Sequence, residues 1–140
     1  MPGRAREADW CLQPTTKGRT LEPRALSEDE QRVLSLLLAN ELESETLLAQ
    51  LPLAQVTRHW VEDLPSVDIV VAHGAQRART TERVLPFRGQ VTNEKGEPTG
   101  LIIVWLEDGA LAGLEYAWYT DELPDKWPSN DRIDIELRSL

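Results

Sequence analysis

The chain has 140 residues, 24 acidic and 15 basic side chains, a net charge of −9 and 41% hydrophobic residues. That length suits one domain and that apolar fraction one core, which excludes wholesale disorder. No apolar run reaches the roughly 18 residues of a membrane span, the N-terminal stretch lacks the apolar region of a signal peptide, and Cys11, the single cysteine, excludes an internal disulfide. The expectation is an acidic, soluble, cytoplasmic protein without a membrane partner.

Residues 1–25 hold Pro2, Pro14, Pro23, Gly3 and Gly18 and little apolar periodicity. They are expected to form a flexible arm, with Trp10 and Leu12 as docking points, and residues 26–140 a single domain. Ser27-Glu-Asp-Glu30 has the form of a capping box with acids at the positive helix end. Val33, Leu34, Leu37 and Leu38 follow at helical spacing, and Asn40 marks the stop. A second helix spans 44–51, presenting Leu47, Leu48 and Leu51, and Pro52 ends it. Beyond Pro52 the period becomes alternating. Val56, Arg58 and Trp60 share one strand face and Thr57 and His59 the other. Val67–Ala72 is a strand with Val67, Ile69 and Val71 inward. Residues 73–83, with His73 and three arginines, form a loop. Val84–Thr92 is a strand in which Pro86 signals an edge or a bulge. Asn93–Glu97 is a hairpin loop.

Residues 100–120 carry the clearest signal. Asp108-Gly109 is the dipeptide of a two-residue type I′ turn. Regular pairing around it sets Leu106 against Leu111, Trp105 against Ala112, Ile103 against Leu114 and Leu101 against Tyr116. In that register Leu101, Ile103, Trp105, Leu114, Tyr116 and Trp118 form the core face. Residues 121–130 form an irregular link, and 131–139 alternate, with Ile133, Ile135 and Leu137 on one side. The fold class is α+β: two N-terminal helices packed on one face of a curved antiparallel sheet of five to six strands.

Charge is distributed in blocks. Residues 1–24 balance to +2, 25–72 to −7, 73–95 to +3 and 96–140 to −7. A nucleic-acid binder needs a dominant basic surface, so no nucleic-acid partner is expected; the acidic body suits a basic protein. Nucleophile elbow, phosphate loop and H-E-x-x-H patterns are absent, and neither a cofactor nor a metal site is called for. Cys11 lies in the arm, apart from both histidines in sequence. A strand pair across 61–66 would set His59 opposite Asp68. That is either an oriented imidazole base or an ordinary cross-strand pair. Glu115, flanked by Leu114 and Tyr116, is a third candidate acid. His59, Asp68 and Glu115 together outline an alternative pocket between helices and sheet, for a small molecule or an enzymatic reaction. The leading candidate surface is aromatic and acidic: Tyr119, Asp121, Glu122 and Trp127. It points to a non-enzymatic protein-binding module.

Leu26-Ser-Glu-Asp-Glu-Gln-Arg-Val-Leu, Leu64-Pro-Ser-Val-Asp-Ile-Val-Val and Glu107-Asp-Gly-Ala-Leu-Ala-Gly-Leu-Glu-Tyr make residues 26–128 resemble a group of small actinobacterial proteins of unknown function. Members are similar in a "PSVD" before a strand and a "DG-x-L-x-x-LE" hairpin. Many carry cysteines just before the Pro-Ser segment, where this chain has Trp60-Val-Glu-Asp-Leu64, so a metal or redox role resting on them does not carry over. The helix-then-sheet plan and the acidity also resemble those of bacterial immunity proteins, which cap toxins. That likeness implies an immunity-like antitoxin.

Overall fold

The computed structural model describes residues 20–137, so Trp10, Cys11 and Leu12 lie outside the described residues. The order of elements is β1 (Thr20–Ala25), α1 (Glu28–Leu38), α2 (Ser44–Ala49), a single 3₁₀ turn (Leu51–Leu53), β2 (Ala54–His59), β3 (Val67–Val71), β4 (Phe87–Thr92), β5 (Pro98–Glu107), β6 (Ala110–Trp118) and β7 (Ile133–Leu137). All strands join one seven-stranded sheet in the order β1-β2-β3-β6-β5-β4-β7, every pairing antiparallel. The sheet stays open, with β1 and β7 at its edges. The α+β class holds. The sheet has seven strands where five to six were expected, and β1 is the strand that was not foreseen.

β1 corrects the assignment of residues 20–25 to an arm. Its sequence, Thr-Leu-Glu-Pro-Arg-Ala, lacks alternation because only one flank of an edge strand needs to pair, and Pro23 is tolerated there. Arg24 then ties β1 to α1. Its guanidinium donates through Nη1 to Glu30 Oε1 (2.9 Å) and through Nη2 to Glu30 Oε2 (3.0 Å). Glu30 also completes the capping box: Ser27 Oγ accepts from its backbone N–H (3.1 Å), and its Oε1 accepts from Ser27 N–H (2.8 Å).

Glu30 is buried, and burial alone would raise its carboxyl. The hydrogen bonds from Arg24 and Ser27 outweigh that, so its pKa lies below the ordinary 4.5. A carboxylate depressed in the native state stabilises the fold fully above its unfolded value. That contribution is lost as pH falls through the native value. Urea unfolding of wild type and Glu30→Gln is therefore expected to show a stability gap that is constant near neutrality and closes as pH drops below about 4.5. A gap unchanged by acid would mean the ion pair contributes nothing.

The helices supply the apolar layer over the sheet. Val33, Leu34, Leu37 and Leu38 recur at i, i+3 and i+4 and are fully buried, joined by Leu47 of α2. They form one cluster with Val56, Val67, Ile69, Ile102, Val104, Leu106, Leu111 and Leu114. α2 ends at Ala49, earlier than the expected Leu51, and Pro52 sits in the 3₁₀ turn. Asn40 closes the end of α1 by donating to the Leu36 carbonyl (3.1 Å).

The hairpin β5–β6 forms around the expected turn, with Asp108 at φ 51° and Gly109 at φ 79°. Its register is corrected, however. Leu106 does face Leu111, but Trp105 then pairs with Gly113, and the ladder continues Val104–Leu114, Ile103–Glu115 and Ile102–Tyr116. Ala112 is the extra residue of a β-bulge, and one inserted residue exchanges the two faces of the partner strand. The core face of β5 is thus Ile102, Val104 and Leu106, while Leu101, Ile103 and Trp105 lie half-buried on the outer face. Leu114 and Tyr116 point inward as expected.

The turn itself is braced from two directions. Ala78 N–H donates to the Gly109 carbonyl (2.9 Å), anchoring the 72–86 connection. Gln50, at the end of α2 and buried, donates through Nε2 to the carbonyls of Gly109 (3.1 Å) and Gln76 (2.9 Å), and its Oε1 accepts from Leu111 N–H (3.0 Å). One buried amide thereby satisfies backbone groups of helix end, loop and hairpin together.

Candidate functional site

β6 is nine residues long and its neighbour β3 only five. Their pairing is limited to Val67–Leu114 and Asp68–Gly113, so the second half of β6 runs on past the start of β3. The 60–66 turn flanks this overhang. Trp60 N–H donates to the Ser66 carbonyl (2.9 Å), and Ser66 Oγ accepts from Tyr116 N–H (2.8 Å), replacing the missing strand partner. Between turn and overhang lies an open groove of about 330 Å³, walled by Trp60, Val61, Leu64, Glu115, Ala117 and Trp118.

The link after β6 stands beside this groove. Tyr119 N–H donates to the Thr99 carbonyl (2.9 Å), extending the hairpin by one bond. From there to Leu123 the chain is exposed: Trp118 is 37% accessible, Tyr119 55% and Leu123 60%, with Asp121 and Glu122 exposed between them. Trp127 behaves differently and corrects its assignment to the contact surface. It is 7% exposed and stacks on Tyr116, with ring centroids 5.6 Å apart and planes inclined by 25°. An irregular link around two prolines needs an anchor, and the largest apolar side chain within reach supplies it. Burial by this packing raises the Tyr116 phenol above its ordinary pKa. Tyr119, Asp121 and Glu122 therefore form the exposed stretch, and Trp127 holds its base.

The pocket outlined by His59, Asp68 and Glu115 does not assemble. A bulge between Val56 and Arg58 sets Arg58, not His59, opposite Asp68, and His59 opposite Val67. His59 Nδ1 instead lies 2.8 Å from the Leu64 carbonyl. Asp68 is held by Arg58 Nη2 (3.1 Å to Oδ2) and by Trp60 Nε1, which donates to Oδ1 (2.9 Å). Glu115 Oε1 accepts from Trp105 Nε1 (2.9 Å). Each carboxylate is thus bound to an indole on the outer sheet face, and the three side chains open onto separate clefts. His73 is exposed in the 72–86 connection, and among the described residues no group of three or more His, Cys, Asp or Glu is placed to hold a metal ion.

Sequence reasoning assigned Trp118 to the core, placed Trp60 on a strand face and left Val61 and Leu64 without a role. The signal that would have found the groove is the mismatch in length between the 67–72 and 110–118 strands. No helix among the described residues is long and apolar enough to cross a membrane. No family model, curated protein or solved structure matches the chain.

Proposed function

We propose that the chain is a non-enzymatic protein-binding module that uses an acidic, aromatic surface against a basic protein partner, in its most specific form as an immunity-like antitoxin. The observation that carries this reading is the exposed run from Trp118 to Leu123, in which Trp118 and Tyr119 on one side and Leu123 on the other flank Asp121 and Glu122. Water-exposed aromatics beside acids suit a partner surface that is itself basic and partly apolar. The 60–66 turn, which forms the facing wall of the groove, adds exposed Glu62 and Asp63.

The test uses a partner captured from the native host and then purified, with association and dissociation rates measured at low and high salt. Asp121→Lys with Glu122→Lys is expected to slow association about tenfold or more at low salt, with the loss shrinking as the Debye length falls from about 30 Å at 0.01 M to about 8 Å at 0.15 M. The fold should be intact, because both side chains are exposed. Association indifferent to salt and to the double reversal would leave the acidity as a solubility device and overturn the reading.

A further inference from the structure

We infer that the groove between Trp60 and Trp118 is a receptor for a single lysine side chain of a partner, with Glu115 as its counter-charge. The inference rests on the protein-binding reading above and adds what that surface recognises. Of the residues walling the groove, Glu115 alone carries a full charge at neutral pH. Among the described residues no Lys, Arg or His lies within ion-pair distance of it. Its orientation is fixed, because Trp105 Nε1 holds Oε1 at 2.9 Å. Oε2 is the oxygen with no protein donor among the described residues.

The rest of the wall matches the rest of a lysine. Val61, Leu64 and Ala117 offer an apolar lining to a four-carbon stem, and Trp60 and Trp118 place indoles at the groove for cation–π attraction. Lysine suits the site better than arginine. A guanidinium is served best by both oxygens of a carboxylate, and one oxygen here is already taken by an indole N–H. Exposed Glu62, Asp63, Asp121 and Glu122 on the flanking turn and link outnumber exposed Lys126, so the net field at the approach is attractive to a cation.

The experiment follows the indole N–H resonances of the full chain by NMR during titration with the peptide acetyl-Gly-Gly-Lys-Gly-Gly-amide. Its counterparts carrying norleucine or arginine in place of lysine are titrated in parallel. The lysine peptide is expected to shift Trp60 and Trp118 saturably, with a Kd on the order of millimolar, and to leave buried Trp127 unmoved. Glu115→Gln keeps an acceptor for Trp105 and should weaken the lysine peptide at least about fivefold while leaving the norleucine peptide unchanged. Trp118→Ala, at an exposed position, should weaken lysine binding without altering the rest of the spectrum. Equal binding of norleucine, tighter binding of arginine, no saturable shift, or indifference to Glu115→Gln each overturns the assignment. These failures are separable from failure of the binding reading. A captured partner whose association still depends on Asp121 and Glu122 but not on Glu115 would retain the acidic surface and remove the lysine receptor.

Discussion

Gly109→Val is expected to destabilise the fold by about 3–5 kcal/mol, combining a strained backbone of roughly 1–3 kcal/mol with steric overlap of similar size. The first part follows from φ 79°, a region a β-branched side chain avoids. The second follows from the 72–86 connection lying against the turn: a Cβ at position 109 would sit 2.1 Å from the Ala78 carbonyl oxygen. Relieving that overlap moves Ala78 and strains the Ala78–Gly109 and Gln50–Gly109 hydrogen bonds together. Gly96 provides the control. It has φ 80° in the β4–β5 hairpin loop, but a Cβ there meets nothing within 4 Å. Gly96→Ala should therefore cost only the backbone term, about 1–2 kcal/mol. Chemical denaturation of both variants checks the pair, and equal costs would show that contact with Ala78 is immaterial.

Trp127→Ala is expected to cost about 3–5 kcal/mol, the range for truncating a buried tryptophan, and to lower Tm by roughly 10–20 °C. The side chain closes the core beneath the 119–130 link, and its stacking on Tyr116 adds about 0.5–1.5 kcal/mol beyond area burial. Near-UV circular dichroism should lose the signal of the ordered pair. Trp127→Phe, which restores a ring to stack, should recover more than half of the stability. Because Trp127 sits under the link rather than on it, its loss should act on partner binding only through unfolding or loosening of residues 119–126. A variant as stable as wild type but with faster partner dissociation would reverse that placement.

What the sequence makes legible is local. The capping box at Ser27–Glu30, the leucine spacing of α1, the Asp-Gly turn and the period-two run at 133–137 all appear where local chemistry puts them. Each depends on residues within a few positions of one another. What escapes is whatever one extra residue decides at a distance. The bulge at Ala112 preserves the turn and yet inverts β5, so Trp105 moves from expected core to outer face. The bulge after Val56 likewise separates His59 from Asp68. Neither leaves a composition signal, because the alternating pattern of 101–106 is apolar at every position and fits both faces equally. β1 is hidden for a related reason: an edge strand with a proline needs no alternation. Of the candidate surface, Tyr119, Asp121 and Glu122 are exposed as their setting suggests. The role of Trp127 depends on a partner, Tyr116, that only the three-dimensional fold brings near.

The bulge at Ala112 also sets how this chain tolerates changes in length. A loop takes up an added or lost residue by rearranging its backbone. β6 has such slack at one point only. Losing Ala112 would leave Leu106–Leu111, Trp105–Gly113 and Val104–Leu114 paired as a regular ladder, with Ile102, Val104 and Leu106 still toward the helices. Losing Glu115 instead would set Tyr116 opposite Ile103 and turn it off the core face, with no spare residue beyond it to absorb the change. An in-frame loss at 112 should therefore be far less damaging than one at 115, even though Glu115 contributes almost no apolar surface to the core.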